Sequence, residues 1–375
     1  MDALSALHDL LRLMISRKAS DLFITAGFPP AMKIDGKIAP VSNQTLTPTH
    51  TREFARAAMN DRQWKEFEQH NEANFAIAPH DIGRFRVNAF VQQCRIGLVL
   101  RTITTKIPKL EELNLPPVLK DVAMAKRGLV IFVGGTGSGK STSLAAMVGY
   151  RNENAQDHII TIEDPVEFVH EHRKSIITQR EVGVDTENWF AALKNTLRQA
   201  PDVILIGEVR DRETMEYALS FAETGHLCLT TLHANSANQA IDRIISFFPE
   251  DARQQLLMDL SLNLRSFISQ RLIPRRGGMG RVAATEILLN SPLVADLILK
   301  GQVGEIKEVM TRSGELGMQT FDKSLFDLYE AGQISYEDAL RNADSVNDLR
   351  LKIKLYSSES KERDLMSGID HLEIT

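Results

Sequence analysis

Cysteine is almost missing from this chain. The two present, Cys94 and Cys228, are far apart and neither sits in a C-x-x-C, so a disulfide framework and a four-cysteine zinc clip are both excluded and a reducing, cytoplasmic setting fits. Also missing is any apolar run of about 18 residues, the least that crosses a bilayer as a helix. The N-terminus "MDALSALHDLLRLMISRKASD" breaks its leucines with Asp2, His8, Asp9 and Arg12, whereas a signal peptide needs an unbroken apolar centre. It reads as an amphipathic helix with Leu4, Leu7, Leu11, Met14 and Ile15 on one face, and any membrane association must go through a partner. There is no excess of positive charge. A net charge of −5 and a pI near 6.1, with no stretch interleaving basic and aromatic residues, argue against a nucleic-acid translocase. No internal repeat or low-complexity tract occurs.

What remains is ordinary globular material. The 43% hydrophobic and 25% charged residues match soluble proteins closely enough to exclude a fibre or a disordered chain. A length of 375 residues suits two domains.

The pattern along the chain changes once. After the first helix, "DLFIT" and "PPAMKIDGKIAPV" predict a strand and then a hairpin turned at Asp35-Gly36, because Asp-Gly readily adopts the positive φ angles of a tight turn. Pro48 starts a helical stretch to about His70. Residues 74–103 predict three strands with turns at 79–83 and 93–97, the middle one pointing Phe85, Val87, Ala89 and Val91 one way and Arg84, Arg86 and Asn88 the other. A proline-rich linker over 105–117 follows. Then "GLVIFVG", "HIITIED", "DVILIGE" and "HLCLTTLH" appear, short runs apolar on both faces and separated by helical segments, as a parallel sheet covered on both sides requires. Beyond about Ser246 the pattern reads mostly helical, and the polar residues 344–375 read as a flexible tail. The expected division is 1–104, the linker 105–117, an α/β domain with a helical C-terminal part over 118–343, and the tail.

Chemistry concentrates at the ends of those four runs. "LVIFVGGTGSGKST" places Gly134, Gly135, Thr136, Gly137, Ser138, Gly139, Lys140, Ser141 and Thr142 between a buried strand and a helix. Glycines let backbone N–H groups curl around phosphate oxygens, the helix turns its positive end toward them, Lys140 reaches the β- and γ-phosphates, and Ser141 can ligate Mg²⁺. ATP and Mg²⁺ are therefore the expected ligands. "TIEDPVEF" ends the second run in Glu163, Asp164 and Glu167, and a carboxylate there can hold the attacking water. "DVILIGEVRD" ends the third in Glu208, with Gly207 where many ATPases carry an aspartate; an acid there sits beside Mg²⁺ through water. His226 and His233 bracket the fourth run. On the N-terminal domain, Arg84, Arg86 and Arg101 are available to stabilise charge on a transferring phosphoryl group.

Taken in order, "GGTGSGKST", "TIEDPVEF", "DVILIGEVRD" and "TGHLCLTTLHAN" resemble the Walker A, Asp box, Walker B and His box of the secretion and type IV pilus ATPases. "GRFRVNAF" before them and "GMQTFD" after them extend the resemblance over nearly the whole chain. Within that superfamily it is similar to the PilT-like retraction ATPases, since the long N-terminal extension and four-cysteine motif of assembly ATPases are missing. The resemblance implies a PAS-like α+β N-terminal domain joined to a RecA-like P-loop ATPase domain, assembled as a homo-hexamer at the inner face of the inner membrane. It implies Glu163 as general base, Glu208 as the Walker B acid, His226 and His233 as the His box, and Arg86 and Arg101 as arginine fingers ahead of Arg84. Its implied partners are a PilT-like paralogous ATPase and the inner-membrane pilus platform protein. One segment departs from the pattern: where retraction ATPases read A-I-R-N-L-I-R-E, this chain reads "LVADLILK" over 293–300, with Ala295 in the first arginine's place. That departure resembles the PilU-like accessory branch and leaves a second reading, a nucleotide-binding, weakly catalytic subunit docked on a partner ring.

Overall fold

The computed structural model describes residues 2–34, 36–103, 106–278 and 280–357, except for the side chain of Glu315. The chain forms two compact units. The first spans 1–107 and takes in two later segments, 164–169 and 181–187.

The N-terminal unit runs α1 (Ala3–Ser16), β1 (Asp21–Ile24), β2 (Ala31–Ile34), β3 (Lys37–Pro40), α2 (Pro48–Ala58), α3 (Asp61–His70), β4 (Glu72–Ile77), β5 (Arg84–Gln92) and β6 (Arg95–Ile103). Its sheet has the order β3-β2-β1-β6-β5-β4, with all the pairings antiparallel. β2 and β3 form the hairpin expected around Gly36, whose φ is +80°; Asp35 lies outside the described residues. Alternation along β5 is as read for Phe85, Val87 and Ala89, which are fully buried, while Val91 at the strand's end is exposed. The first helix buries a narrower stripe than its sequence suggests. Leu7, Leu11 and Met14 are buried and Ala6, Leu10 and Leu13 pack partly against the same core, so the stripe is flanked on that side, while Leu4 and Ile15 are exposed. The helical stretch from Pro48 is two helices, parted at Asn60, whose side chain accepts from the Gln63 N–H and caps the second.

The second unit contains α4 (Val118–Ala123), β7 (Gly128–Val133), α5 (Lys140–Asn154), β8 (His158–Glu163), β9 (Ile176–Glu181), α6 (Trp189–Thr196), β10 (Val203–Ile206), α7 (Arg212–Glu223), β11 (Leu227–Leu232), α8 (Ala237–Ser246), α9 (Arg253–Asn263), β12 (Leu264–Pro274), β13 (Arg281–Leu289), α10 (Pro292–Leu299), α11 (Ile306–Arg312), α12 (Phe321–Glu330), α13 (Tyr336–Arg341) and α14 (Val346–Tyr356). Its seven-stranded sheet has the order β13-β12-β7-β11-β10-β8-β9. The four apolar runs form β7, β8, β10 and β11, mutually parallel where they pair. Every residue of β7, β10 and β11 is buried, the burial on both faces that a helix-covered sheet imposes.

Two expectations fail here, for β12 with β13 and for the tail, and the linker is refined. "LRSFISQRLIP" and "RVAATEILL", read as helical, are β12 and β13, an antiparallel pair that adds to β7 and has its inner residues buried on both faces. Short apolar runs fit either period; the open edge of β7, not local propensity, selects the strand. The linker holds a 3-10 turn, Leu110–Leu113, that buries Leu110 in the core under β7 and α5. Residues 346–356 of the polar tail form α14, anchored through buried Leu349 and Ile353 in a core shared with Phe321, Leu325 and Ile334; the tail beyond 357 lies outside the described residues.

Candidate functional site: the carboxyl edge of the parallel sheet

The loop between β7 and α5 has the conformation its glycines permit. Gly134, Gly137 and Gly139 take φ angles of +158°, +77° and +90°, and a Cβ on Gly134 would lie 2.4 Å from Ser138 Oγ. Lys140 starts α5 and is nearly buried. Its ammonium donates to the carbonyl oxygens of Gly134 (2.6 Å) and Gly135 (2.9 Å), which sets the charge across the mouth of the loop. The hydroxyl of Ser138 is buried and has no hydrogen-bond partner among the described residues, a group that a bound phosphate can satisfy. The loop opens on a cleft of about 220 Å³ lined also by Asn235, Gln270, Arg271, Leu272 and Arg281. Positive-φ glycines, a helix N-terminus, a lysine and an orphaned hydroxyl fit a nucleotide's phosphates.

The two acids stand at the ends of neighbouring strands. Glu163 ends β8, and its Oε1 accepts from Thr161 Oγ1 at 2.7 Å with Gln179 Nε2 3.4 Å away. Glu208 follows β10, paired through Oε2 with Arg210 at 2.8 Å, while His233 Nε2 lies 3.2 Å from Oε1. Gly207 between them is explained sterically: a Cβ there would lie 3.2 Å from Glu163 Cα and 3.3 Å from the Ile162 carbonyl. An aspartate in that place would press on the backbone that carries Glu163, so the acid appears one residue later.

His226 is not brought to this cluster. It precedes β11 at the opposite edge of the sheet, where its carbonyl accepts from Gly128 N–H at the start of β7. Its Nδ1 lies 3.1 Å from Thr224 Oγ1 and 3.2 Å from the Phe221 carbonyl, at the end of α7. The length of β11, roughly 20 Å at about 3.3 Å per residue, separates it from His233. The histidines do bracket one strand, and for that reason they cannot meet within one chain.

In the N-terminal unit, Arg86 and Arg101 are exposed cross-strand partners. Arg101 Nε donates to Asp21 Oδ1 at 2.8 Å; burial works against the Asp21 charge, but hydrogen bonds from Arg101 and Ser20 hold its carboxyl below the usual range. Arg84 is committed elsewhere. Its Nη2 donates to Oε2 of the buried Glu181 at 2.6 Å, and the Val166 N–H donates to the same oxygen.

Four residues near the site carry no motif: Gln270, Arg271 and Arg281 in the cleft, and Glu286. Arg271 stacks 3.9 Å over the Phe321 ring and donates to the Asn342 carbonyl and Asp344. Glu286 accepts from Ala237 N–H and Ser269 Oγ, and burial pushes its carboxyl above the usual range. Their only sequence signal is polar residues inside β12 and β13, which becomes informative once those segments are known to be strands beside β7.

His170 yields a pH prediction. Burial lowers its imidazole from 6.5 to about 4, so below the unfolded value the unfolded chain takes up a proton that the folded chain refuses. Stability is therefore expected to fall as pH drops from about 6.5 to about 4, by up to about 3 kcal/mol. Urea melts of the His170→Gln variant should show a flatter acid limb. An acid loss equal to wild type would remove His170 as its source.

The chain matches the family model described as type II/IV secretion system protein over residues 4–314. It is 60% identical over 368 residues to the type IV pilus ATPase PilU of Pseudomonas aeruginosa, covering 98% of this chain and 96% of that protein. It is 44% identical over 335 residues to the pilus retraction ATPase PilT of the same organism, with 89% and 97% covered. The crystal structure of the pilus retraction motor PilT with bound ADP superposes with a TM-score of 0.86 at 40% identity, covering 92% of this chain and 98% of that one. Among the described residues no helix is long and apolar enough to cross a membrane. Identity of this depth over this length leaves one conclusion, that the chain belongs to the type II/IV secretion system protein family.

Proposed function

We infer that this chain is an ATP-hydrolysing motor of the type IV pilus machinery, a PilU-like accessory retraction ATPase that supports twitching motility. The observation that carries the reading is the convergence of the lysine-bearing loop, Glu163, Glu208 and His233 at one edge of one parallel sheet. Loop N–H groups, Lys140 and Ser138 hold phosphate oxygens. Glu163 takes the proton of the attacking water, and Thr161 orients it. Ser141 and Glu208 would hold Mg²⁺, the latter through water; the ion supplies charge neutralisation between the phosphates. His233 and Arg210 fix the Glu208 carboxylate. Arg86 or Arg101 is the arginine finger.

The same reading includes a homo-hexamer at the cytoplasmic face of the inner membrane, working with a PilT-like paralogue on the inner-membrane platform protein. Similarity to PilU and PilT over nearly their full lengths supports it. Helix α10 favours the accessory role. It carries Ala295 with Leu293 and Leu299 exposed, and Lys300, just past its end, is paired with Asp296 one turn earlier, so the segment where retraction ATPases place two arginines presents apolar side chains. That substitution also keeps open a weakly catalytic subunit docked on a partner ring.

Two measurements decide. Purified protein is expected to hydrolyse ATP well above a Lys140→Ala control; turnover no faster than that control would leave only the docked-subunit reading. Cells carrying this chain as the sole retraction ATPase are expected to twitch poorly, and normal twitching would overturn the accessory role.

A further inference from the structure

Strand β12 presses on the phosphate loop a residue that none of the family motifs contains. Gln270 is 3% exposed, in the middle of an eleven-residue strand that lies between β7 and β13. Its amide is spent on the loop and on the helix that follows. Nε2 donates to the Ser138 carbonyl at 3.0 Å, and Oε1 accepts from Ser143 Oγ at 2.8 Å. The orientation of the amide is fixed by chemistry, since a carbonyl can only accept and must face the NH₂ end.

The same residue explains two glycines. A Cβ on Gly134 would lie 2.8 Å from the Gln270 carbonyl oxygen, and a Cβ on Gly139 would lie 2.6 Å from Gln270 Nε2. The first and last glycines of the loop are thus both packed on one side chain and its backbone. Holding the Ser138 carbonyl has a further effect. In a planar trans peptide the C=O and N–H point in opposite directions, so pinning the carbonyl against Gln270 aims the Gly139 N–H away from β12, toward the hollow of the loop. Ser143, in the first turn of α5, is tied to the other end of the same amide, so the loop and the helix N-terminus are held as one rigid unit.

The geometry points to Gln270 as a positioning residue for the nucleotide: it presets the 138–140 amides and Lys140 for the phosphates. This rests on the reading that the loop binds nucleotide phosphates. The α- and β-phosphates that the loop N–H groups cradle stay with the nucleotide throughout the reaction, so losing the clamp is chiefly a loss of uniform binding, which raises KM and largely spares kcat.

The test is titration of the full-length protein with the fluorescent nucleotide mant-ADP in Mg²⁺ buffer, alongside ATPase kinetics and nucleotide-free melting. Removing two hydrogen bonds, Gln270→Ala is expected to raise Kd and KM about tenfold with kcat within about threefold. Gln270→Glu, the same size but unable to donate to Ser138 and negative beside the phosphates, is expected to raise Kd further, about a hundredfold. If Gln270→Ala does not fold, Ser143→Ala releases one end of the amide with almost no change of volume and is expected to raise Kd about threefold. The proposal is overturned if Gln270→Ala, or in its absence Ser143→Ala, binds mant-ADP as wild type does, or if kcat falls while Kd is unchanged. A wild-type protein that binds no mant-ADP, or a Lys140→Ala variant that binds it equally well, overturns the phosphate-site reading itself.

Discussion

Glu163→Gln is expected to slow ATP hydrolysis about 10²–10³-fold while leaving ATP affinity within about threefold, the signature of a lost general base. Glu163 Oε1 is held by the hydroxyl of Thr161, itself buried in β8, and that contact sets the plane of the carboxylate. Glutamine keeps the shape and can keep this bond, but its amide cannot take a proton from water. Glu208 is a poor substitute. Its carboxylate is occupied on both oxygens, by Arg210 and by His233, which suits an acid that steadies a metal's water and not one that accepts a proton. Single-turnover hydrolysis separates the chemical step from product release, and a Glu163→Gln variant that turns over at the wild-type rate would remove Glu163 from the role.

Arg84→Ala should be the most destabilising arginine substitution in the N-terminal unit. Its partner Glu181 has a side chain only 3% exposed, and with the guanidinium gone the buried carboxylate keeps the Val166 N–H but has lost its countercharge. Breaking a pair of this kind costs about 3 kcal/mol, or roughly 10 °C of melting temperature for a unit of this size. Arg86→Ala gives the contrast. Its side chain is exposed, so stability should change by no more than about 0.5 kcal/mol, while ATP turnover should fall by about 10³-fold if Arg86 is the finger. Differential scanning calorimetry with matched ATPase assays reads both. Equal melting temperatures for the two variants would show that the Arg84–Glu181 pair adds nothing.

The glycine loop was fully legible because its chemistry is local. Positive φ at Gly137 and Gly139, a strand before and a helix after are all properties of consecutive residues. The parallel strands were legible for a similar reason, since burial on both faces forces unbroken apolar runs. β12 and β13 were not. Their apolar residues fit a helix as well as a strand, and only the unfilled edge of β7 decides between them. Misreading them hid Gln270, Arg271 and Glu286 together, because a polar residue inside a supposed amphipathic helix attracts no notice, whereas one inside a buried strand must have a partner.

By itself, then, the order of residues determined which side chains could do chemistry: a phosphate loop, acids after β8 and β10, and a histidine after β11. Whether they meet is a matter of long-range packing. The parallel direction of the strands gathers Glu163, Glu208 and His233 at one edge and leaves His226 at the other. Packing between adjacent strands also disfavours an acid at the earlier place, since a Cβ on Gly207 would crowd the backbone of Glu163 and Ile162. Arg84 and Arg86, two residues apart on one strand, receive opposite fates because only one of them finds a buried carboxylate. Local sequence sets conformation and chemical type through interactions that span a few residues, and distance, burial and partnership follow from contacts that can lie more than a hundred residues apart, where loop closure and sheet register make the choice.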